Sequence, residues 1–178
     1  KSQLKETGSA SSGQKSELQM SGEELVRYEW SDSGSSLVVT PNNEFLLEKI
    51  TTGAATKPAE QPFLMPSKTA ILDNNVFVQR EVLLWRYLAT APCHGETGGR
   101  QCQSADFGVL VPQDHTSMPV RMELVGREKV TIRGTERELL RLNLKGDAFS
   151  WALWVDDKDQ FKLMRVLIAD ANTEVVRD

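Results

Sequence analysis

The segment from Asp73 to Ala91 predicts a long apolar helix in a chain that otherwise has the pattern of β-strands. Asp73 or Asn74 supplies a capping oxygen at the start of the segment, and Pro92 ends it. Apolar side chains cover most of the helix circumference and leave only a narrow polar stripe that includes Arg86. A helix of this kind is buried on most sides, so we expect it to lie in the core.

Short apolar segments separated by turn residues make up most of the remaining sequence. In one of them Val26, Tyr28 and Trp30 alternate with charged residues, which is the pattern of a strand with one buried face. The pattern is densest over 105–178, which we predict to be a continuous antiparallel β run. Segments of this length and spacing are typical of an antiparallel sheet, barrel or sandwich, and we expect about ten strands in all.

These elements predict a mainly β fold with one long helix, of the α+β class. Because strand twist accumulates across a wide sheet, the sheet has to curl. We therefore expect a curved antiparallel sheet or incomplete β-barrel wrapped around the 73–91 helix, in a single domain that covers 1–178. Residues 52–67 contain three prolines, and because proline has no backbone N–H group we predict a crossover loop there.

Length, charge and hydropathy exclude several classes of protein. The 178 residues carry 21 Lys and Arg against 25 Asp and Glu, a net charge of -4, and this balance argues against a nucleic-acid partner. No apolar run approaches the roughly 20 residues of a membrane-spanning helix, so we expect a protein that does not span the membrane. The chain opens at Lys1 on a strand-like run without a Met, and we expect that an upstream segment has been removed.

The two cysteines, Cys93 and Cys102, flank a polar and glycine-rich segment in which the two thiols can approach each other. A disulfide between them would restrict the loop after the helix and would indicate an oxidising compartment. Two free thiols are a second interpretation. A metal site with His94 and His115 is a third, although adjacent Cys and His side chains do not easily face one ion and no C-x2-C spacing is present. We predict the disulfide, with no metal and no cofactor.

Two other polar segments contain residue types that are common in catalytic or calcium-binding sites. Asp114-His115-Thr116-Ser117 contains possible groups for acid–base or nucleophilic catalysis, but it also fits an ordinary turn after Pro112. No G-x-S-x-G sequence is present to hold a nucleophile. Asp156, Asp157 and Asp159 lack the glycine and the final glutamate of a calcium-binding loop, so we expect a solvated hairpin turn.

Sequence blocks in the last third of the chain carry a family resemblance. One runs from Gly126 to Gly134 as G-x-E-x-V-x-x-x-G, the next is Leu153-Trp154-Val155-Asp156, and a later strand ends at Val175-Val176-Arg177. In this order they resemble secreted bacterial proteins of the DUF3108 kind over roughly Ala105–Asp178, and they are similar more distantly to the LolA and LolB lipoprotein carriers. The resemblance implies an incomplete β-barrel closed by helices, a periplasmic location and an apolar ligand cavity.

The first functional hypothesis is a periplasmic or secreted, non-enzymatic domain that binds a lipid, another apolar ligand or a lipidated partner between sheet and helix. The side chains predicted to point into this space are Phe77, Leu84, Leu88, Trp151 and Leu153. The tryptophans and methionines, among them Trp30, are either cavity wall or ordinary core, and Trp151 and Trp154 are expected on opposite faces of one strand. The alternatives are a structural or assembly protein of the cell envelope with a filled core, and a hydrolase that uses His115.

Overall fold

A computed structural model describes residues 3–9, 13–74, 80–91, 93–94 and 101–177 of the chain. Within these residues the fold is mostly β with one α-helix, as the sequence predicts. The chain divides into two compact units: residues 1–79 with 108–118, and residues 80–107 with 119–178. Because a single domain can contain two compact units, the prediction of one domain over 1–178 stays a prediction.

The described strands and the helix follow one another along the chain. In order they are β1 Gln3–Ser9, β2 Lys15–Ser21, β3 Glu24–Ser31, β4 Ser35–Asn42, β5 Phe45–Thr52, β6 Ala59–Phe63, β7 Ala70–Ile71, α1 Arg80–Thr90, β8 Cys93–His94, β9 Gln101–Cys102, β10 Ala105–Val111, β11 Thr116–Ile132, β12 Thr135–Lys145, β13 Ser150–Asp156, β14 Lys162–Ile168 and β15 Thr173–Val176.

The first unit contains an open antiparallel sheet in the order β1-β2-β3-β4-β5-β6. Successive side chains of a strand point to opposite faces, so the alternating sequence of β2 to β5 gives one buried face. One row across this face joins Leu18, Tyr28, Val39 and Glu48, which are opposite one another in the strand register and at most 1% exposed. The buried face is therefore mainly apolar but includes one carboxylate.

The prediction of an unbroken loop over 52–67 is wrong at β6. Ala59–Phe63 pairs with β5 and ends the sheet, so it has only one neighbouring strand. Proline is tolerated on an edge strand because a backbone N–H group facing away from the sheet is not needed for pairing. Pro62 is therefore compatible with a strand here, whereas it would have disrupted a central strand.

The second sheet has the order β15-β14-β13-β12-β11-β10-β7, and it is a curled half-barrel. Antiparallel pairing joins β11 to β15 in sequence, which confirms the predicted β run over the last third of the chain. One pairing differs from the prediction, because β7 joins β10 in parallel. The register of β11 shifts between Leu124 and Gly126, a β-bulge that bends the longest strand of the sheet.

The described helix is Arg80–Thr90, within the predicted segment 73–91. Residues 75–79 of the predicted segment lie outside the described residues, so the predicted capping role of Asp73 or Asn74 stays a prediction. The buried positions of the helix are Arg80, Glu81, Leu83, Leu84 and Tyr87. They form one stripe along the helix, so the helix is buried on one side rather than on most sides.

Side-chain contacts join this stripe to the curled sheet. The Tyr87 hydroxyl accepts a hydrogen bond from the backbone N–H of Leu124 in β11 at 3.1 Å and donates one to the carbonyl oxygen of Gln103 at 2.9 Å. Its ring meets Phe107 edge-on, with 6.5 Å between the ring centroids. No described helix has both the length and the apolar character that a membrane crossing requires.

Candidate functional site

The five predicted cavity residues differ in how tightly the second unit encloses them. Leu84 is 1% exposed and Leu153 is 0% exposed, so protein atoms cover both side chains in the absence of any ligand. Leu88 and Trp151 are half-buried. Phe77 lies outside the described residues. Two of the five candidates are thus packed core residues, and two retain accessible surface.

Trp151 is the centre of an aromatic group on the helix side of β13. The Phe149 ring lies 4.6 Å from the Trp151 ring, centroid to centroid, and the Arg80 guanidinium carbon lies 4.4 Å above the indole. Such a guanidinium–indole contact is favourable because the positive charge faces the electron-rich ring. Arg80 is 2% exposed, so this contact holds the start of the described helix over the first residues of β13.

Trp154 lies on the other face of the same strand, as predicted. Its indole N–H donates to Glu128 at 3.0 Å, and the guanidinium groups of Arg165 and Arg141 lie 4.5 Å and 5.6 Å from the ring. Arg141 also donates to Glu128 at 2.9 Å, and these bonds hold the pKa of Glu128 below its usual range. The two tryptophans therefore have different surroundings. Trp151 packs against the helix, and Trp154 lies among the charged side chains of Glu128, Arg141 and Arg165.

Glu81 attaches the described helix to the sheet through a buried carboxylate. One oxygen accepts hydrogen bonds from the backbone N–H of Leu163 at 2.7 Å and from the Arg177 guanidinium at 2.6 Å. The side chain of Glu81 is 7% exposed. Burial raises the pKa of Glu81, and the two donors partly offset this effect. The helix is thereby tied both to β14 and to the residue that follows β15.

The two cysteines lie opposite each other in a two-stranded antiparallel ladder. Cys93 of β8 pairs with Cys102 of β9, and His94 pairs with Gln101. Directly opposed residues in such a ladder have Cα atoms about 4.5 to 5.5 Å apart, a range that a disulfide spans without strain. The register therefore favours the disulfide over the other two interpretations, and the bond itself stays a prediction.

Alkylation tests the disulfide. We expect denatured, unreduced protein to take up no iodoacetamide and reduced protein to take up label at both Cys93 and Cys102, read by mass spectrometry. Cys102→Ser is expected to lower the free energy of unfolding by about 2 to 3 kcal/mol, since the bond restricts a short loop in the unfolded chain. Labelling of unreduced protein at both positions would mean that the thiols are free.

His115 contacts a carboxylate that the sequence did not point to. Its Nδ1 lies 2.8 Å from Oε2 of Glu48, whose side chain is 0% exposed, while the His115 side chain is 41% exposed. His115 follows a 3₁₀ turn at Pro112–Asp114 and has a left-handed backbone conformation with φ of 52°. That turn brings the ring onto β5, 67 positions away in sequence.

A second hydrogen-bonded group adjoins this pair in the first unit. Tyr28 donates its hydroxyl to the Asp73 carboxylate and accepts from Nε2 of Gln113 at 2.9 Å. Burial and the neighbouring carboxylates of Asp73 and Glu48 raise the pKa of Tyr28 well above its usual range. Tyr28 therefore stays neutral and acts as a fixed donor to Asp73. Asp73 is 1% exposed, so this hydrogen bond lies in the interior of the unit.

The Glu48–His115 pair has two of the three parts of a hydrolase triad. A carboxylate bound to Nδ1 orients the imidazole and leaves Nε2 to act as a base. The third part is not supplied by the neighbouring sequence, because no described hydrogen bond joins the ring to Thr116 or Ser117. Gln61 instead donates to the backbone carbonyl of His115 at 3.4 Å, a contact that holds the turn in place.

Glu48 gives the protein a pH dependence whose sign follows from its burial. Burial raises the pKa of Glu48, and the bond to His115 only partly offsets this. A raised folded-state pKa means that stability is greatest below the ordinary glutamate pKa and is lost as pH rises through the folded value. We therefore expect Glu48→Gln to gain stability relative to the native protein as pH rises above the ordinary glutamate pKa of about 4.3, by at most about 1.4 kcal/mol per pH unit.

Urea unfolding at several pH values measures this difference. Glu60→Gln is the control, since Glu60 is exposed on the neighbouring strand and pairs with Lys49 at the surface. A native protein that becomes more stable than Glu48→Gln as pH rises would contradict the expectation and would indicate a dominant ion pair with His115.

The acidic turn after β13 is occupied by protein cations. Arg127 forms a two-point contact with Asp157, whose side chain is 3% exposed, and Lys162 contacts Asp159 at 2.6 Å. Asp157 is thus part of a buried ion pair rather than a solvated turn residue. Within the described ranges, no group of three or more His, Cys, Asp or Glu side chains is arranged to hold a metal ion.

Comparison with known proteins identifies no relative in which these features have a known role. No protein-family model matches the chain, and no curated protein or solved structure gives a significant match. The resemblance to DUF3108 proteins and to lipoprotein carriers therefore stays an expectation from the sequence.

Proposed function

We propose that the protein is a non-enzymatic domain of the bacterial periplasm or a secreted one, and that it binds a lipid, another apolar ligand or a lipidated partner. The binding surface lies where the described helix meets the curled sheet, around Trp151 and Leu88. The observation that carries the proposal is the Trp151 group: a half-buried indole stacked near Phe149 and held by the Arg80 guanidinium. A rigid, half-buried aromatic surface suits an apolar ligand.

Three further features support the class of function and the compartment. Leu84 and Leu153 are fully packed, so they form a firm base for the helix while Trp151 and Leu88 keep accessible surface. The opposed cysteines are compatible with a disulfide, and disulfides are typical of periplasmic and secreted proteins. The acidic charge balance fits this reading because it does not favour nucleic acid.

Fatty-acid titration tests the proposal. Palmitate is expected to change the intrinsic tryptophan fluorescence of the native protein, and Trp151→Ala is expected to weaken binding at least about tenfold, equivalent to about 1.4 kcal/mol. The matched control is Trp154→Phe, because Trp154 lies on the same strand and faces away from the helix. Mass spectrometry of a denatured extract gives an independent test through the lipid that co-purifies.

A protein that carries no lipid and binds palmitate equally with and without Trp151 would contradict the proposal. That result would favour the second candidate, a structural or assembly protein of the envelope. The specific observation in favour of this candidate is the close packing of Leu84 and Leu153, two of the residues first expected to line a cavity.

A further inference from the structure

The turn between β10 and β11 closes on a buried carboxylate of the first unit. Glu48 is 0% exposed, and its Oε2 lies 2.8 Å from Nδ1 of His115. The second oxygen of this carboxylate, Oε1, is also buried and has no hydrogen-bond partner among the described residues. Buried polar atoms are nearly always paired, so an unpaired carboxylate oxygen at this position calls for an explanation.

His115 is the group that can supply a positive charge to this carboxylate. Within the described ranges no lysine or arginine contacts Glu48. Lys49 lies on the opposite face of β5, where it pairs with Glu60 at 2.9 Å. The other groups on the elements packed against the pair are uncharged or acidic: Tyr28 of β3, Val39 of β4, Gln61 of β6, Asp73, Asn74, Gln113 and Asp114. An ionised Glu48 therefore depends on His115 for a neighbouring cation.

Glu48 and His115 can hold one shared proton in either of two forms. A protonated Glu48 donates its O–H to Nδ1, or an ionised Glu48 accepts from the Nδ1–H of a positively charged ring. In both forms the pair is neutral as a whole and Nε2 carries a hydrogen. Loss of the shared proton leaves a net negative charge on the buried carboxylate, and such a charge is costly without a cation. Burial raises the pKa of Glu48, which has the sign that this cost requires.

The imidazole gives the buried proton a route to solvent. The His115 side chain is 41% exposed, and no described hydrogen bond involves its Nε2. Nε2 can therefore release its hydrogen to water while Nδ1 keeps the hydrogen that faces Glu48. The pair responds to the pH of the solution in this way, although the carboxylate itself is fully covered.

A second turn of the chain shows that this backbone geometry does not require an imidazole. Pro112–Asp114 is followed by His115 with φ of 52°, and Ala169–Ala171 is followed by Asn172 with φ of 46°. In each turn the N–H of that residue donates to the carbonyl oxygen of the first turn residue at 3.0 Å. Asparagine adopts the left-handed conformation readily. The turn alone therefore does not account for a histidine at position 115, whereas the contact with Glu48 does.

We propose that Glu48 and His115 form a pH-dependent switch that holds this turn on β5. With one proton on the pair, the neutral contact keeps the His115 ring against Glu48. As pH rises and that proton passes to water, the buried negative charge favours the entry of water and the release of the ring. Gln61 and Gln113 also hold the turn, through amides that do not titrate, so we expect a local opening of the turn. The switch is independent of the proposed lipid-binding surface.

A pH titration of the full chain followed by NMR, from about pH 4 to about pH 10, tests the switch. Loss of the shared proton is expected to change the carboxyl ¹³C shift of Glu48 and the ring ¹⁵N shifts of His115 with one common midpoint. Across that midpoint the protection of the His115 amide from hydrogen exchange, corrected for the intrinsic rate at each pH, is expected to fall at least about tenfold. The Asn172 amide is the internal control, because it makes the same backbone contact in the other turn.

Two variants separate the switch from other causes of a pH effect. Glu48→Gln resembles the protonated acid, since its amide N–H can donate to Nδ1, and we expect protection of the His115 amide to become independent of pH. His115→Asn preserves the turn geometry seen at Asn172 but removes the ring that shares the proton. We expect it to move the Glu48 midpoint by at least about one pH unit.

Separate midpoints for Glu48 and His115 would show that the two groups do not share a proton and would overturn the proposal. A common midpoint with unchanged protection of the His115 amide, or with an equal change at Asn172, would overturn it as well, because the turn would not follow the proton. None of these outcomes bears on palmitate binding, so the two proposals are tested separately.

Discussion

Leu153→Ala is expected to lower the free energy of unfolding by about 3 kcal/mol, within the range of about 2 to 5 kcal/mol found when a packed leucine is truncated. Leu153 is 0% exposed and lies between Leu142 and Val166 in the register of β12, β13 and β14, and these two are 0% and 1% exposed. The truncation leaves an internal void that these neighbours cannot fill without moving. Urea unfolding followed by circular dichroism measures the change.

The same measurement decides between two readings of Leu153. A residue that lines a ligand cavity loses few protein contacts on truncation, so a cost below about 1 kcal/mol would contradict the packed-core reading. Val125→Ala is the control, because Val125 is 51% exposed and its truncation is expected to change stability by no more than about 0.5 kcal/mol.

Glu81→Ala is expected to lower the free energy of unfolding by about 3 kcal/mol. The substitution removes the acceptor of the buried Leu163 N–H and leaves the Arg177 guanidinium without its carboxylate. Both losses fall at the point where the helix meets β14. Unsatisfied buried donors cost more than the net gain of a typical hydrogen bond, so the effect is larger than that of a surface ion pair.

Glu81→Gln separates the hydrogen bonds from the charge. Its amide oxygen can accept from Leu163 and Arg177, so we expect it to cost less than half of what Glu81→Ala costs in the same urea experiment. Glu136→Ala is the surface control, since Glu136 and Lys129 are 67% and 70% exposed and form a pair worth at most about 1 kcal/mol. Equal losses for the alanine and glutamine variants would show that charge, not hydrogen bonding, holds the helix.

Local sequence signals located the strands and the helix well. Alternation in Val26, Tyr28 and Trp30 predicted β3, and the regular segments of the last third predicted the run from β10 to β15. These signals succeed because both the alternation that buries one face of a strand and the turn residues at its ends are local features of the sequence. They failed at β6, where Pro62 indicated a loop. A proline is compatible with a strand at a sheet edge, but the sequence does not show which strand is the edge.

The candidate sites were predictable only in part. His115 was recognised as a chemically capable residue, but Glu48 was not recognised as its partner. Glu48 sits in a strand where alternation demands an apolar side chain, and a charged residue at such a position was a signal available in the sequence. Arg80 and Glu81 gave the same signal in the helix, since two charges at its described start are buried and held by Trp151, Leu163 and Arg177.

The sequence by itself determined the class of fold: a mostly β chain with one helix, whose elements follow from local periodicity and from the positions of Gly, Pro and Asp. Only the tertiary structure decided the parallel pairing of β7 with β10 and the contacts of Glu48 with His115 and of Glu81 with Arg177. The last two pairs are separated by 67 and 96 positions. Such contacts depend on strand order and register, which are set by packing between distant segments rather than by the residues next to each side chain.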